Sequence, residues 1–411
     1  MDPRVTCRHC HTRLPAPFID LGYAPPSNAY RTRASLSASE VHYPLRVAVC
    51  HTCWLAQTED YTRPDELFDE GYAYFSSTSA GWVRHAEQFV DAITARLGLT
   101  DDDLVMEVAC NDGYLLQHVQ RRRIPCLGIE PTASTADAAE RLGLEVVREF
   151  FGTGLAQRLA ATHRKASLIV ANNVFAHVPD INDFSEGLRL ALAPRGTVSL
   201  ECPHLLQLLR GGQFDTIYHE HYSYLSLGTC QRILARAGLR IIDVARLPTH
   251  GGSLRVLAAH TEDPRPTSEA VDTLVGEEAA ARLFSPEGYA SLQSKADAAA
   301  DGLLAFLIDQ KRRGRRVMAY GAAAKGNTLL NYAGVRPHLL EAVFDAAPSK
   351  QGRLLPGSHI PIRPPDDIAR LRPDVLLILP WNIADEVCRQ QAGITTWGGR
   401  FAVAIPSIRL L

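Results

Sequence analysis

Short apolar runs alternate with amphipathic stretches through the middle of the chain. Strand-like runs lie at 104–109 (LVMEVA), 126–131 (CLGIEP), 167–173 (SLIVANN) and 197–203 (TVSLECP). Between these runs, and over 80–98 before the first of them, apolar residues recur at three-to-four spacing, which predicts helices. Strands that alternate with helices indicate βαβ units, and therefore a doubly wound parallel sheet.

The same alternation begins again after about residue 285. A long amphipathic stretch at 291–314 predicts a helix, and strand-like runs follow at 343–346 and 375–381. This second region predicts a smaller α/β domain. The chain as a whole is therefore predicted to be α/β, with two Rossmann-like domains behind an N-terminal module, and we expect the domains at 1–70, 71–240 and 241–411.

Composition narrows the class of protein. Of the 411 residues, 46% are hydrophobic and 21% are charged, which is typical of globular domains. The net charge of -2 provides no general attraction to nucleic acid or to an anionic membrane. No apolar run approaches the ~20 residues that span a bilayer, and residues 1–10 lack the apolar segment of a signal peptide. We expect a cytoplasmic, monomeric enzyme without nucleic-acid or membrane partners.

Four of the nine cysteines form two C-x-x-C pairs, Cys7 with Cys10 and Cys50 with Cys53. Each pair can place two thiolates on one side of a tight turn, and the two turns together predict a four-sulfur site for structural zinc. An odd number of cysteines without an export signal argues against a disulfide framework. The alternatives are two coincidental pairs or a redox dithiol. His9, His11 and His51 could substitute as ligands, but a site of four cysteines needs none of them.

A tight turn, ACNDG at 109–113, follows the first strand-like run. Ligands of open α/β sheets bind beyond the carboxyl ends of the strands, and Glu130 ends the second run where a carboxylate can accept hydrogen bonds from ribose hydroxyls. The G-x-G-x-x-G of NAD-binding proteins is absent, and the pattern instead resembles a class I S-adenosylmethionine methyltransferase. A turn without a ligand is the alternative. The candidate cofactor-binding residues are Glu107, Ala109, Asn111, Asp112, Gly113, Glu130, Asn172 and Asn173.

Ionisable and aromatic side chains crowd into residues 218–224, YHEHYSY. If this segment is extended, Tyr218, Glu220, Tyr222 and Tyr224 share one face and the two histidines share the other. Histidine can take up a proton near neutrality, glutamate can orient it, and tyrosine can donate to a developing oxyanion. The pattern is not the H-E-x-x-H of a metalloprotease. The alternative is an aromatic-rich turn whose histidines are satisfied.

A second turn, GAAAKG at 321–326, lies between a predicted strand and a predicted helix. Backbone N–H groups at a helix N-terminus bind anions, and Lys325 could add a charge for a diphosphate. It is not a P-loop, because Asn327 follows Gly326. Asp345 ends the next strand, which would also suit a dinucleotide, and ordinary helix capping is a further alternative.

Five motifs in this order resemble one family: the two cysteine pairs, 109–113, 218–224, THGGS at 249–253 and YGAAAKG at 320–326. Together they resemble the nucleotide-sugar C-methyltransferases of deoxysugar biosynthesis for antibiotics, over nearly the whole chain. The resemblance implies an N-terminal zinc-binding module, a central S-adenosylmethionine domain and a C-terminal domain that helps to bind the sugar nucleotide.

The resemblance also implies a reaction. A 4-keto sugar, typically linked to dTDP, would lose its C3 proton, and the resulting enolate would take a methyl group from the sulfonium. His221 would be the general base, and its supporting groups would be Glu220, Tyr218, His177 and Tyr74. The implied substrate-binding residues are Tyr222, His250, Gly321, Lys325, Gly326 and Asn382.

Two functions of other classes are kept as alternatives. One is an NAD-dependent nucleotide-sugar oxidoreductase or epimerase that uses the C-terminal domain. The other is a non-catalytic zinc-ribbon binding protein, although the chain lacks the basic surface with interleaved aromatic residues that nucleic-acid binding requires.

Overall fold

The computed structural model describes residues 5–59 and 75–411, whose strands form three sheets. The strands are β1 (Ile19–Ala24), β2 (Tyr43–Val49), β3 (Ala56–Thr58), β4 (Val105–Val108), β5 (Cys126–Ile129), β6 (Val146–Val147), β7 (Ala166–Asn172), β8 (Leu192–Pro203), β9 (Ser223–Tyr224), β10 (Leu239–Leu247), β11 (Ser253–His260), β12 (Val317–Tyr320), β13 (Val343–Phe344), β14 (Ile362–Arg363), β15 (Val375–Ile378), β16 (Arg400–Val403) and β17 (Arg409–Leu410). The α-helices are α1 (Ala80–Leu97), α2 (Leu116–Arg121), α3 (Ala133–Arg141), α4 (Thr153–Thr162), α5 (Ile181–Ala191), α6 (Leu205–Gly211), α7 (Leu227–Arg236), α8 (Glu269–Ala280), α9 (Leu292–Arg312), α10 (Ala324–Tyr332), α11 (Asp367–Leu371) and α12 (Ala384–Gln390). None of these described helices is long and apolar enough to cross a bilayer.

The N-terminal module forms a four-stranded antiparallel sheet in the order β1-β2-β3-β9. Its fourth strand, β9, consists of the last two residues of the 218–224 cluster. Ser223 pairs with Gln57 and Tyr224 with Ala56. The module is therefore joined by backbone pairing to the segment that carries the candidate catalytic histidine.

The central sheet has seven strands in the order β10-β11-β8-β7-β4-β5-β6. The strands β4 to β8 are parallel to their neighbours within this group, and β11 runs antiparallel to both β8 and β10. The strand order reverses between β4 and β7, so the carboxyl ends of these two strands border the crevice in which ligands bind. The predicted strands at 104–109, 126–131, 167–173 and 197–203 are β4, β5, β7 and β8. The predicted domain boundary between 240 and 241 falls inside β10 of this sheet.

The C-terminal sheet has the order β14-β13-β12-β15-β16-β17, with parallel pairing up to β16 and an antiparallel β17. Its order reverses between β12 and β15, which gives the chain a second crevice of the same kind. The predicted fold class, α/β with two Rossmann-like domains and a small N-terminal module, is confirmed.

The N-terminal sheet packs against both of the larger domains. Ile19 of β1 belongs to the same hydrophobic core as Leu303 of α9, next to the C-terminal sheet. Leu55, which precedes β3, belongs to the core of the central sheet together with Phe175. Each of these side chains is almost fully buried, which stabilises the structure by about 1.5–3 kcal/mol per side chain. The module therefore shares its cores with both neighbours.

Helix α7 begins at a buried acid that comes from another helix. Glu278 of α8, which is fully buried, accepts hydrogen bonds from the N–H groups of Leu227 and Gly228 at 2.6 and 2.9 Å. The same carboxylate lies 2.8 Å from Nε2 of His204. It satisfies N–H groups that have no partner within the helix, and it places negative charge at the positive end of the helix dipole.

We predict that Glu278→Ala lowers the free energy of unfolding by about 3 kcal/mol, because it leaves two buried N–H groups and a buried imidazole without their acceptor. The urea midpoint measures the effect. Glu277→Ala is the matched control, since Glu277 is the adjacent residue and forms an exposed ion pair with Arg246. Equal midpoint shifts for the two variants would contradict this role of Glu278.

Candidate active site

The four cysteines of the two predicted pairs converge. Their Sγ atoms all lie within 4.8 Å of one another, and Cys7–Cys53 and Cys10–Cys50 are each 3.4 Å apart. A tetrahedron with zinc–sulfur bonds of ~2.3 Å has edges of about 3.8 Å, so the donor set fits zinc and leaves no open position for chemistry. Histidine is absent from this group; His9, for example, contacts Asn182 instead.

The two cysteine turns have the same local structure. The N–H of His11 donates to the carbonyl of Cys7 at 2.9 Å, and the N–H of Trp54 donates to the carbonyl of Cys50 at 2.8 Å. Both donor residues adopt positive φ, 61° and 63°. This backbone directs the two thiols of each pair to the same side, which is why the C-x-x-C spacing suits a metal site.

The zinc module contacts the candidate catalytic segment directly. Thr58, at the end of β3, donates its N–H to the carbonyl of Tyr222 and its hydroxyl to the carbonyl of His221, both at 3.2 Å. Gln57, beside it, donates to Sγ of Cys7 at 3.2 Å. A short path of hydrogen bonds thus connects the zinc ligands to the backbone of His221.

The turn after β4 is shaped by positive φ angles at Ala109, Asn111 and Gly113. Glu130, which follows β5, accepts the N–H of Asn111 at 3.0 Å through one oxygen and the N–H of Thr132 at 2.9 Å through the other. Gly113 has a φ of +79°, which favours glycine, and a Cβ on it would come within 2.5 Å of a methyl group of Leu144. The turn and Glu130 meet at the predicted cofactor edge.

The remaining candidate cofactor residues occupy different positions around this crevice. Asp112 accepts the N–H of Ser77 at 3.0 Å, which attaches the segment before α1 to the turn. Glu107 is buried within β4, and burial raises its pKa well above the usual range. Asn172 ends β7 with a buried amide that has no hydrogen-bond partner among the described residues, whereas Asn173 contacts His250. The free amide of Asn172 and the carboxylate of Glu130 are polar groups of the kind that an adenosine cofactor requires.

His221 lies in a turn, whereas the expected alternation of side chains between two faces assumed an extended strand. The N–H of His221 donates to the carbonyl of Tyr218 at 2.9 Å, and this turn brings the Tyr218 hydroxyl to 2.8 Å from Nε2 of His221. Nδ1 of the same ring lies 2.9 Å from the carbonyl of Thr216. Burial lowers the pKa of His221 well below its usual range, so the ring is neutral near pH 7.

The other predicted catalytic groups lie beside this turn. The His177 ring is 4.6 Å from the His221 ring, edge to face, and its Nδ1 donates to the carbonyl of Glu220 at 2.7 Å. The Glu220 carboxylate is buried and accepts hydrogen bonds from the backbone and amide of Asn28. The Tyr222 ring is buried, with the guanidinium of Arg8 5.2 Å from its centre, and its role in substrate binding stays a prediction. Tyr74 lies outside the described residues.

The second predicted turn has the same carboxylate arrangement as the first. Asp345, which follows β13, accepts the N–H of Ala322 at 2.7 Å and that of Ala347 at 2.8 Å. Gly321 has a φ of +92°, and a Cβ on it would approach Pro380 to 2.4 Å. Lys350 lies 3.0 Å from the carbonyl of Ala322. Lys350 was not predicted from the sequence, although it follows Asp345 by only a few residues.

His250 and Lys325 connect the two crevices. His250 has a φ of 55°, and its Nε2 lies 3.1 Å from the side-chain nitrogen of Asn173 at the end of β7. Lys325 donates to the carbonyl of His250 at 3.3 Å and to Asn382 at 3.1 Å. The predicted residues His250, Lys325 and Asn382 are therefore brought together with the central domain.

Two buried acids near this junction were missed by the sequence analysis. Glu201, at the end of β8, lies 2.9 Å from His85 and 2.6 Å from Arg255. Burial alone would raise the pKa of Glu201, but these two partners lower it below the usual range. Asp215 accepts the indole N–H of Trp381 at 2.7 Å, and burial raises the pKa of Asp215 to about 6. Neither acid belongs to a short motif that would have identified it.

Family models match three consecutive parts of the chain. "Putative zinc binding domain" matches residues 7–68, "Methyltransferase domain" matches 82–244, and "C-methyltransferase C-terminal domain" matches 248–406. A curated relative, C-methyltransferase NovU of Streptomyces niveus, is 34% identical over 375 residues, which cover 91% of this chain and 89% of that protein. The chain belongs to the S-adenosylmethionine-dependent C-methyltransferases with an N-terminal zinc-binding domain. Its cofactors are S-adenosylmethionine and zinc.

Solved methyltransferase structures resemble part of the chain. An S-adenosylmethionine-dependent methyltransferase from Clostridium acetobutylicum is 12% identical and covers 43% of this chain and 92% of its own, with a TM-score of 0.36. Magnesium protoporphyrin IX methyltransferase from Synechocystis is 16% identical and covers 43% of this chain and 85% of its own, with a TM-score of 0.34. The fold class therefore rests on the sheet order and the family models.

We predict that chelation of zinc, or the variant Cys53→Ser, lowers both the melting temperature and kcat, because β3 then loses the anchor that fixes it against β9. Metal analysis, thermal unfolding and turnover measure the three effects. Cys388→Ser is the control, since Cys388 lies outside the four-sulfur group. Full zinc content in Cys53→Ser would contradict the assignment of this ligand.

We also predict that Glu130→Ala weakens S-adenosylmethionine binding by about 10- to 100-fold, the effect of losing hydrogen bonds to a charged acceptor. Isothermal titration calorimetry measures the affinity. The matched control is Glu145→Ala, because the Glu145 side chain is 66% exposed. An unchanged affinity in Glu130→Ala would remove this carboxylate from the cofactor site.

Proposed function

We propose that this C-methyltransferase adds a methyl group to C3 of a dTDP-linked 4-keto-deoxysugar, in deoxysugar biosynthesis for antibiotics, with His221 as the general base. The observation that carries the proposal is the buried, neutral imidazole of His221 at the junction of the two crevices. One crevice suits the methyl donor, and the other suits a nucleotide diphosphate.

The tautomer of His221 is fixed by its hydrogen bonds. The carbonyl of Thr216 can only accept, so Nδ1, which lies 2.9 Å from it, carries the proton. Nε2 therefore has a free electron pair, and the Tyr218 hydroxyl donates to it at 2.8 Å. A substrate C–H that approaches Nε2 displaces this hydroxyl, which can then donate to the neighbouring substrate oxygen. The pair thus supplies a base and a donor at adjacent positions.

Two supporting groups maintain this arrangement. Burial lowers the pKa of His177 to about 4, so its ring stays neutral beside His221 and does not oppose the imidazolium that forms there. Burial raises the pKa of Glu220, whose carboxylate is bound by Asn28 and whose carbonyl is bound by His177. Tyr74 stays a prediction from the family resemblance.

The cofactor crevice requires only binding groups from the chain. S-adenosylmethionine, when bound, supplies an electrophilic methyl group on a sulfonium. Glu130 would accept hydrogen bonds from the ribose, and the amide of Asn172 would take up a polar group of the cofactor. The turn at 109–113 would let the cofactor approach the backbone closely. A cation then meets an enolate, so charge is neutralised in the transition state.

The substrate crevice lies at the start of α10. Backbone N–H groups of the 321–326 turn are suited to a diphosphate, since α10 begins there. His250 and Asn382 lie beside the same opening and would contact the sugar. With the nucleotide bound at this edge, the sugar would extend toward His221, because Lys325 and His250 connect the two sites.

The proposal is tested by incubating dTDP-4-keto-deoxysugars with S-adenosylmethionine and measuring the product by mass spectrometry and NMR. We expect a gain of one methylene on C3 with loss of the C3 proton. His221→Asn should abolish this product while S-adenosylmethionine still binds, because the variant lacks the proton acceptor.

The matched control is His219→Asn, two residues away. The Nε2 of His219 lies 3.2 Å from the carbonyl of Pro44, in the N-terminal module, so this variant should keep most of its activity. A methyl group on oxygen or nitrogen, or normal turnover by His221→Asn, would refute the proposed mechanism.

A further inference from the structure

Lys325 belongs to the 321–326 turn in sequence, but its side chain contacts residues of other elements. Its ammonium group donates to the carbonyl of His250 and to the amide oxygen of Asn382. It also lies 4.9 Å from the centre of the Trp381 ring. An ammonium group has three protons, these two acceptors take two of them, and no acceptor among residues 5–59 and 75–411 takes the third.

The charge of one acidic group, Asp215, acts on Lys325. This carboxylate is fully buried, and one of its oxygens has no hydrogen-bond partner among the described residues. Its other oxygen accepts the N–H of Trp381, the same ring over which the ammonium group lies. Burial lowers the pKa of Lys325, and the charge of Asp215 raises it. Asp215 thus favours a charged ammonium group in a poorly hydrated place.

Lys325 acts electrostatically on the catalytic segment. Burial is the main cause of the lowered pKa of His221 and of His250, and the positive charge of Lys325 also lowers both pKa values. The helix that carries it is also attached to that segment, since the hydroxyl of Thr328 donates to the carbonyl of Ile217 at 2.8 Å. The helix of Lys325 is therefore held against the segment of His221 by a contact that does not involve the substrate.

A base of lowered pKa needs help to remove a proton next to a ketone. The deprotonation becomes feasible only if the developing oxyanion is stabilised as the C–H bond breaks. In a site with little water, a fixed positive charge is worth much more than in solution. The ammonium group of Lys325 can supply such a charge, because it is held by His250 and Asn382 and its helix is attached to Ile217, four residues before His221.

We propose that the ammonium group of Lys325 binds the C4 oxygen of the keto sugar and stabilises the enolate, and that it does not bind the diphosphate. In this step the C3–H bond breaks, and the proton goes to Nε2 of His221. The electron pair forms the C3–C4 double bond and moves the carbonyl electrons to the oxygen, which accepts a hydrogen bond from Lys325. This role rests on the proposed function and adds a catalytic residue to it.

The diphosphate has other donors. The backbone N–H groups at the start of α10 serve it, and Lys350 lies at that turn, 3.0 Å from the carbonyl of Ala322 and 3.7 Å from Asp345. A division of labour between two lysines predicts that loss of Lys325 affects proton removal, whereas nucleotide affinity depends on the turn.

The test measures exchange of the C3 proton of a dTDP-4-keto-deoxysugar in D₂O, by NMR, with S-adenosylhomocysteine present so that no methyl group is transferred. We expect Lys325→Gln to slow exchange by about 100-fold, the typical effect of losing one oxyanion donor. The affinity for dTDP itself should change by less than about threefold, which is under 1 kcal/mol. Lys325→Arg should restore part of the exchange rate.

Lys295→Gln is the control, because Lys295 also donates to a backbone carbonyl, that of Leu209 at 2.7 Å, but lies on α9. Zinc content and S-adenosylmethionine affinity report whether each variant is folded. Normal exchange in Lys325→Gln, or a loss of dTDP affinity that matches the loss of exchange, overturns the role of Lys325 alone. A wild-type protein that neither exchanges nor methylates these sugars refutes the proposed function, and this proposal with it.

Discussion

The hydrogen bond from Nδ1 of His221 to the carbonyl of Thr216 depends on a tight, buried turn whose neighbouring carbonyls are bound by side chains and backbone of other regions. Every region of the protein contributes to that requirement. Thr58 of the zinc module binds the carbonyls of His221 and Tyr222, His177 of the central domain binds that of Glu220, and Thr328 of the C-terminal domain binds that of Ile217. Because an unpaired buried carbonyl is costly, the turn has this shape only when all three regions are in place.

The two Rossmann-like domains hold the turn after the first strand with the same arrangement of hydrogen bonds. In each domain, a carboxylate that follows the second strand accepts one N–H group from the turn after the first strand. It accepts another from the residue two positions after the carboxylate itself. Glu130 does this with Asn111 and Thr132, and Asp345 does it with Ala322 and Ala347. The turns differ in what surrounds them. Lys350 lies at the C-terminal turn, whereas Asp112 at the central turn is bound by Ser77, so a cation borders one crevice and a carboxylate borders the other.

Much of the fold was predictable because its signals are local. The four cysteines, the apolar strands and Glu130 each follow from spacing along the chain, and the alternation of strands and helices predicted both parallel sheets. The predicted pairing of side chains in 218–224 failed for a physical reason: period two applies only to an extended strand, and the turn brings Tyr218 to His221. Asp215 and Glu201 could not be found in this way, because their partners are distant in sequence. Arg255 reaches Glu201 only through the pairing of β11 with β8, and Trp381 reaches Asp215 only through the packing of the C-terminal domain on the central one.

The position of the zinc site explains why such a small module carries a metal. Its strands are short, and its apolar residues complete cores that belong to the two larger domains, so it has little stabilisation of its own. The long connection between the cysteine pairs carries Asn28 and Tyr30, which bind Glu220 and the carbonyl of Ala322 respectively. One segment thus touches both the turn that holds His221 and the turn at 321–326. Closing that segment with four metal–sulfur bonds removes conformational freedom that these few contacts could not offset, and so fixes the distance between the two turns.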